Sequence, residues 1–136
     1  PHVDFEGFSR GVMAKNYRRA SPKQRTRFVT KFRTSLIRTY AKALVEFDNQ
    51  RAEIKPGKPS KRPNRATVKL EAHRARGVIY PVGYTVALKD DEWKLLNVTM
   101  NGISIGLQFR SQFADSMRKN RNNIDVVIKG WNVGSD

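Results

Sequence analysis

The sequence predicts one α+β domain in which helices pack on one face of a curved antiparallel sheet of three to four strands. Three observations lead there. Apolar residues recur at helical spacing before residue 48 and again after residue 103. Between residues 66 and 100 they recur at every second position. The strand-like stretches are grouped instead of alternating with helices, which separates α+β from α/β architectures. A length of 136 residues with 38% apolar residues suits a single domain with one core.

Residues 5–20 read as a first helix, with Phe5, Phe8, Val12 and Met13 on one side. Ser21-Pro22-Lys23-Gln24 is a helix start signal. The serine hydroxyl can cap the amide three residues on, glutamine can reach back, and proline at the first helical position gives up no needed N–H. Phe28, Phe32, Leu36, Tyr40, Leu44 and Phe47 then follow at steps of four and three, predicting a helix over 22–47 with one apolar stripe. Residues 48–65 hold Pro56-Gly57-Lys58-Pro59 and Arg62-Pro63-Asn64, which read as a basic loop with at most a short edge strand near Ala52–Lys55. Ala66, Val68, Leu70 and Ala72 alternate with polar residues and predict a strand with one wet face. After a turn at Gly77, Tyr80–Leu88 forms a second strand with Val82, Tyr84, Val86 and Leu88 in one register. Lys89–Glu92 reads as a polar hairpin loop, Trp93–Met100 as a third strand, and Asn101-Gly102 as its end. Short links make this an antiparallel meander. A helix is expected from Ile103 to about Asn120, and a short one over Ile124–Trp131.

Charge narrows the partners. Lys and Arg number 27 against 12 Asp and Glu, a net +15. Residues 10–76 carry 20 of those bases and four acids; residues 77–136 are almost balanced, with seven and six. Such polarity points to an anionic partner: nucleic acid, an acidic lipid surface or an acidic ligand. Cysteine is absent, which excludes disulfides, thiolate metal sites and thiol nucleophiles. No run of 18 apolar residues offers a membrane span. The chain lacks an initiator Met and its helical pattern is already running at Phe5, so upstream residues are expected to have been removed.

Enzymatic chemistry finds little support. His2 and His73 are the only histidines, and His73 sits near Arg74 and Arg76, which disfavour its protonation. Its simplest reading is a histidine at a strand end; an α+β enzyme with His73 as base is the competing one. Asp90-Asp91-Glu92 lacks the alternating ligands of a calcium loop and reads as a hairpin. Gly102-Ile103-Ser104-Ile105-Gly106 has the spacing of a nucleophile elbow in a strand–turn–helix context, but no histidine follows residue 73 to complete it. No phosphate-cradling glycine motif and no zinc-finger or RNA-binding signature is present. Phe28, Phe32, Tyr40 and Phe47 keep helical spacing, which is core behaviour and not a base-stacking platform. The large apolar side chains fit either a filled core or an apolar cavity left by incomplete closure of helices on the sheet, and periodicity does not separate these.

A resemblance favours the second. Arg18-Arg19-Ala20-Ser21-Pro22-Lys23-Gln24-Arg25, with Phe28-Val29-Thr30-Lys31-Phe32-Arg33 and Leu36-Ile37-Arg38-Thr39-Tyr40-Ala41, resembles the helix signature of MlaC-type proteins, the toluene-tolerance family. Trp93–Val98, Asn101-Gly102-Ile103-Ser104 and Phe109-Arg110-Ser111-Gln112-Phe113 are similar to the family's Trp-led strand, Gly-Val-Ser-type turn and Tyr-Arg-Ser-x-Phe-like helix. Ile103 and Phe109 stand for Val and Tyr, and Ile124-Asp125-Val126-Val127-Ile128 lacks a glycine usual there. The similarity covers nearly the whole chain, as a single lipid-binding domain over residues 1–136 without the upstream helices of family members. It implies a strongly twisted sheet and an apolar cavity for phospholipid acyl chains. It also implies a periplasmic, non-enzymatic carrier that moves lipid between outer and inner membranes and maintains outer-membrane lipid asymmetry. The implied partners are phospholipid, an outer-membrane lipoprotein–porin complex and an inner-membrane ABC transporter with a lipid-binding ring. Neither cofactor, metal nor nucleic acid is expected on this reading; a basic nucleic-acid-binding module is the alternative. The residues expected to line the cavity are Phe32, Leu36, Tyr40, Tyr84, Val86, Val98, Met100, Ile103, Leu107 and Phe113, each with a competing core role. Arg110, beside Phe109 and Phe113, is a candidate for the lipid head group.

Overall fold

A computed structural model of the chain describes residues 3–50, 64–73 and 79–132. The chain divides into two compact units, Pro1–Asp4 with Phe47–Ile105 and Phe5–Glu46 with Gly106–Asp136. Five helices and one four-stranded antiparallel open sheet are present among the described residues, the α+β class the patterning predicts.

The helical unit begins with α1 (Phe5–Met13), which buries Phe8, Ser9, Val12 and Met13 along one stripe. The expected continuous helix to residue 20 is broken. Ala14 takes a φ of 52° and donates its N–H to the Arg10 carbonyl at 3.0 Å, closing α1. Left-handed alanine is uncommon and has no sequence signature, which is why the break is invisible in the chain. One further turn follows as α2 (Asn16–Arg19), and Ala20 is extended. Then α3 (Pro22–Gln50) starts on the expected capping box. The Gln24 amide donates to Ser21 Oγ at 3.1 Å, and the Ser21 amide donates to Gln24 Oε1 at 2.8 Å. Arg25 Nε donates to the Tyr17 carbonyl at 2.8 Å while its guanidinium lies 4.0 Å from the Tyr17 ring centroid, fastening α2 to α3. At Tyr40 the backbone leaves helical values (φ −120°, ψ 27°), and α3 kinks.

Toward the end of the chain, α4 (Ile105–Lys119) buries Phe109, Phe113 and Met117, a strict four-residue step. Arg121 and Asn122 at positive φ reverse the chain, and the Asn122 amide donates to the Met117 carbonyl at 2.7 Å. Asn123 caps α5 (Ile124–Lys129) by accepting from the Val126 amide. That helix stops at Lys129, two residues short of the expected end, and Trp131 follows outside it. The centre of this unit is a cluster of rings. Phe28 lies 5.8 Å from Phe32, 5.1 Å from Phe113 and 5.2 Å from Trp131; Phe32 lies 5.0 Å from Phe8 and 5.9 Å from Phe109. These are tilted, offset and edge-on geometries, the arrangements favoured by ring quadrupoles.

In the other unit the strands run in sequence order: β1 (Arg65–His73), β2 (Ile79–Lys89), β3 (Glu92–Met100) and β4 (Ile103–Ser104). Asp90 and Asp91 form a two-residue hairpin loop with φ of 52° and 61°, the signs of a type I′ turn. Asn101 (φ 52°) and Gly102 (φ 81°) make a second one between β3 and β4. Here the structure corrects the expected helix start at Ile103: Ile103 pairs with Met100 and Ser104 with Thr99, and the helix begins only at Ile105. Ahead of α1, Val3 bridges Leu95 in parallel and the Asp4 amide donates to the Leu95 carbonyl at 2.8 Å. The Asp4 carboxylate, 6% exposed, pairs with Lys89 Nζ at 2.9 Å. The edge strand expected near Ala52–Lys55 lies outside the described residues.

Candidate functional site

Strand alternation assembles one apolar sheet face. Val82 stands opposite Met100 and Tyr84 opposite Val98; on the other side Val68 faces Tyr84 and Ala66 faces Val86. The register slips between Thr85 and Val86, so Val86 pairs with Leu95 and Leu88 with Trp93. The slip leaves Leu96 as the extra residue of a bulge and keeps Leu95 and Trp93 on the apolar face. Along this face burial is uneven. Ala66, Val68, Val82, Val86 and Leu95 are buried, whereas Tyr84, Val98 and Met100 are only half-buried and Ile103 is 52% exposed. An apolar surface therefore lies partly open around the Tyr84–Val98 pair. Gly83, between Val82 and Tyr84 in sequence, lies opposite Thr99, and a Cβ there would stand 3.6 Å from the Thr99 Cβ.

The expected lining residues divide between the two units. Tyr84, Val86, Val98, Met100 and Ile103 belong to the sheet unit; Phe32, Leu36, Tyr40, Leu107 and Phe113 belong to the helical one. Within the helical unit their environments differ. Phe32 and Phe113 are closed off inside the ring cluster, and Leu36 is buried one turn along α3 from Phe32. Tyr40 is half-buried at the kink, its ring 6.4 Å from Phe109. Leu107 is 58% exposed near the start of α4. Arg110 is exposed on the same helix. Leu95, fully buried on the apolar face, is a member that alternation alone misassigns, because only the bulge tells Leu95 from Leu96.

The elbow serine and the acidic cluster have structural roles. Ser104 ends the two-residue β4 directly before α4, and its Oγ accepts from Asn97 Nδ2 at 2.9 Å; no histidine follows it in the chain. Asp90 and Asp91 are turn residues. His73 ends β1 opposite Ile79, and its side chain lies outside the described set. Among the described residues no three His, Cys, Asp or Glu side chains are grouped to hold a metal, and no helix is long and apolar enough to cross a membrane.

A second surface was not anticipated. In the helical unit, Thr26, Arg27, Thr30, Lys31 and Thr34 of α3 and Asp125, Val126, Ile128 and Lys129 of α5 line an open groove of about 580 Å³. Asp125 joins its two walls, accepting from Arg27 Nη2 in an ion pair and from Gln24 Nε2 at 3.3 Å. The sequence signal for it was the Thr26, Thr30, Thr34 series at a four-residue step.

Comparison with known proteins follows the same lines. A family model described as MlaC protein matches residues 1–133. The chain is 42% identical over 132 residues to the toluene tolerance protein Ttg2D of Pseudomonas putida, covering 96% of this chain and 61% of that protein. It is 27% identical over 108 residues to the intermembrane phospholipid transport system binding protein MlaC of Haemophilus influenzae, covering 77% of this chain and 50% of that one. Among solved structures, a phospholipid-binding protein from Ralstonia solanacearum, in complex with a phospholipid, has a similar fold. The TM-score is 0.73 at 24% identity, over 95% of this chain and 71% of that one.

Proposed function

The chain belongs to the MlaC family, and from that premise we propose that it is a periplasmic carrier of phospholipid. It shields acyl chains during transit between the outer and inner membranes and so maintains outer-membrane lipid asymmetry. Its partners are the lipoprotein–porin complex at the outer membrane and the ABC transporter with its lipid-binding ring at the inner one. The observation that carries the reading is the family match across residues 1–133. The phospholipid transport and binding named for the Haemophilus influenzae relative, and the phospholipid in the related structure, agree with it.

The physical requirement is simple. Burying a methylene is worth about 0.8 kcal/mol, so two acyl chains with about 30 methylenes would cost on the order of 25 kcal/mol to expose to water. Free diffusion through an aqueous compartment is ruled out by that magnitude. A carrier exchanges one hydrocarbon contact for another, at nearly no change in free energy. Apolar side chains that stay partly open meet the need, and Tyr84, Val98, Met100, Ile103 and Leu107 are such residues. Val86 is buried on the sheet face; in the helical unit Phe32, Leu36 and Phe113 are buried and Tyr40 is half-buried. No catalytic group takes part. The basic excess leaves cations available near the anionic head group, Arg110 among them.

Native mass spectrometry of the gently purified protein, followed by organic extraction, tests the reading. Adducts with phospholipid masses, released on extraction, are the expected result. Folded protein that yields no phospholipid from an expression host rich in it overturns the reading.

A further inference from the structure

The groove between α3 and α5 has a composition that the lipid-carrying role does not use. Its threonines are turned inward: Thr26 Oγ1 donates to the Pro22 carbonyl at 3.0 Å, Thr30 to Thr26 at 3.1 Å and Thr34 to Thr30 at 3.0 Å. With their hydroxyls spent on the backbone, what they offer the groove is methyl groups. Ile128 is buried beside them, and Val126, 46% exposed, stands on the opposite wall. A second hollow, lined by Pro22, Lys23, Thr26 and Arg27, shares two residues with the first. Together they follow α3 from Pro22 to Thr34, about 18 Å at 1.5 Å per residue.

The rim of this trough is cationic. Arg27 is engaged by Asp125, the one acid in the lining, and no ion pair among the described residues takes up Lys23, Lys31 or Lys129. Three exposed ammonium groups thus surround a methyl-lined channel whose own carboxylate is already neutralised. From this we infer that the α3–α5 groove docks an acidic segment of a partner protein, one carrying aliphatic side chains that seat between Thr30, Thr34 and Val126. Charge complementarity selects the partner: carboxylates meet Lys23, Lys31 and Lys129 while branched apolar side chains cover the methyl floor. A bilayer surface is flat and takes up protruding apolar residues, whereas this feature is concave with Val126 its only exposed large apolar side chain. Nucleic acid would meet no aromatic ring in the groove to stack on. The inference does not depend on the lipid reading, since none of the proposed lipid-contacting residues lines the groove.

Isotope-labelled protein is titrated with two synthetic peptides that share a leucine pattern, one with Glu and one with Lys at the polar positions. Phosphatidylglycerol vesicles and a single-stranded oligonucleotide serve as the other anionic probes. The Glu peptide is expected to shift the amides of Thr30, Thr34, Val126 and Lys129, with affinity falling about tenfold as salt rises beyond the screening range. The Lys31→Glu, Lys129→Glu double variant is expected to lose at least tenfold in affinity, and Val126→Asp likewise, while Lys31→Arg, Lys129→Arg retains binding. All three substituted positions are exposed, so amide dispersion is expected to stay native, and phospholipid content to stay unchanged. Equal binding of both peptides, shifts elsewhere on the molecule, or tighter use of this groove by vesicles or oligonucleotide would overturn the inference.

Discussion

Single side chains in this protein have separable tasks. Phe32 touches Phe8, Phe28, Phe109 and Trp131, so removing its ring empties the middle of a close-packed cluster. Phe32→Ala is expected to destabilise the protein by about 3–5 kcal/mol, read from the midpoint of denaturant unfolding. Val98, half-buried on the apolar sheet face, is expected to behave differently. Val98→Asp places a carboxylate on the surface proposed to meet acyl chains, so lipid co-purification should fall several-fold, measured as extracted phosphate per folded chain. A third task belongs to Asp4, whose buried carboxylate is met by Lys89. Lys89→Ala removes the ammonium paired with that carboxylate and should cost about 1–3 kcal/mol. The ammonium is itself nearly half exposed, which keeps the loss well below that of a fully buried pair. Residue identities were enough to mark Phe32 as apolar and inward. They were not enough to tell a sealed side chain such as Phe113 from an open one such as Leu107, since both sit at helical spacing in one segment. That distinction depends on which neighbours arrive from distant parts of the chain.

Elements show where local chemistry speaks and where it does not. The start of α3 was legible because Ser21 and Gln24 satisfy each other's amides, a purely local contact. Ser21→Ala should therefore cost about 1 kcal/mol in unfolding free energy. The alternation of residues 66–72 and 80–100 was legible for the same reason, being a property of the strand itself. Three features were not. The end of α1 rests on Ala14 at φ 52°, a conformation that alanine tolerates only because the Arg10 carbonyl and the following turn hold it. Strand β4 is two residues long, and its apolar–polar pattern merges with that of α4. The bulge near Leu96 arises from pairing, which one strand's sequence does not contain. The Asp90-Asp91 turn supplies a test of the hairpin reading. Both residues carry positive φ, so Asp91→Gly relieves left-handed strain and yields the favoured Asp-Gly pair. It should raise stability by about 0.5–1 kcal/mol, after allowing for the extra freedom glycine gains when unfolded.

For the whole molecule, membership of the MlaC family accounts for the combination of an α+β fold, a basic charge excess and a partly open apolar sheet face. The chain spans 61% of the Pseudomonas putida relative and half of the Haemophilus influenzae one, so the carrier role is argued for the protein as those relatives represent it. Charge and motif order carried the sequence reading as far as the family. The groove between α3 and α5 escaped it, because its walls are almost a hundred residues apart in the chain and its threonines read as ordinary helix-surface residues. Both surfaces make separate demands on experiment: polar substitution on the sheet face should reduce lipid content, and charge reversal at Lys31 and Lys129 should not. The most direct test of the central claim is transfer. Delipidated protein is mixed with vesicles of radiolabelled phospholipid, the vesicles are removed by centrifugation, and label is counted in the protein fraction. Label eluting with folded protein at a reproducible ratio of lipid to chain, and passing on to fresh acceptor vesicles, is the predicted result. Label that stays entirely with the vesicles, in the presence of folded protein, contradicts it.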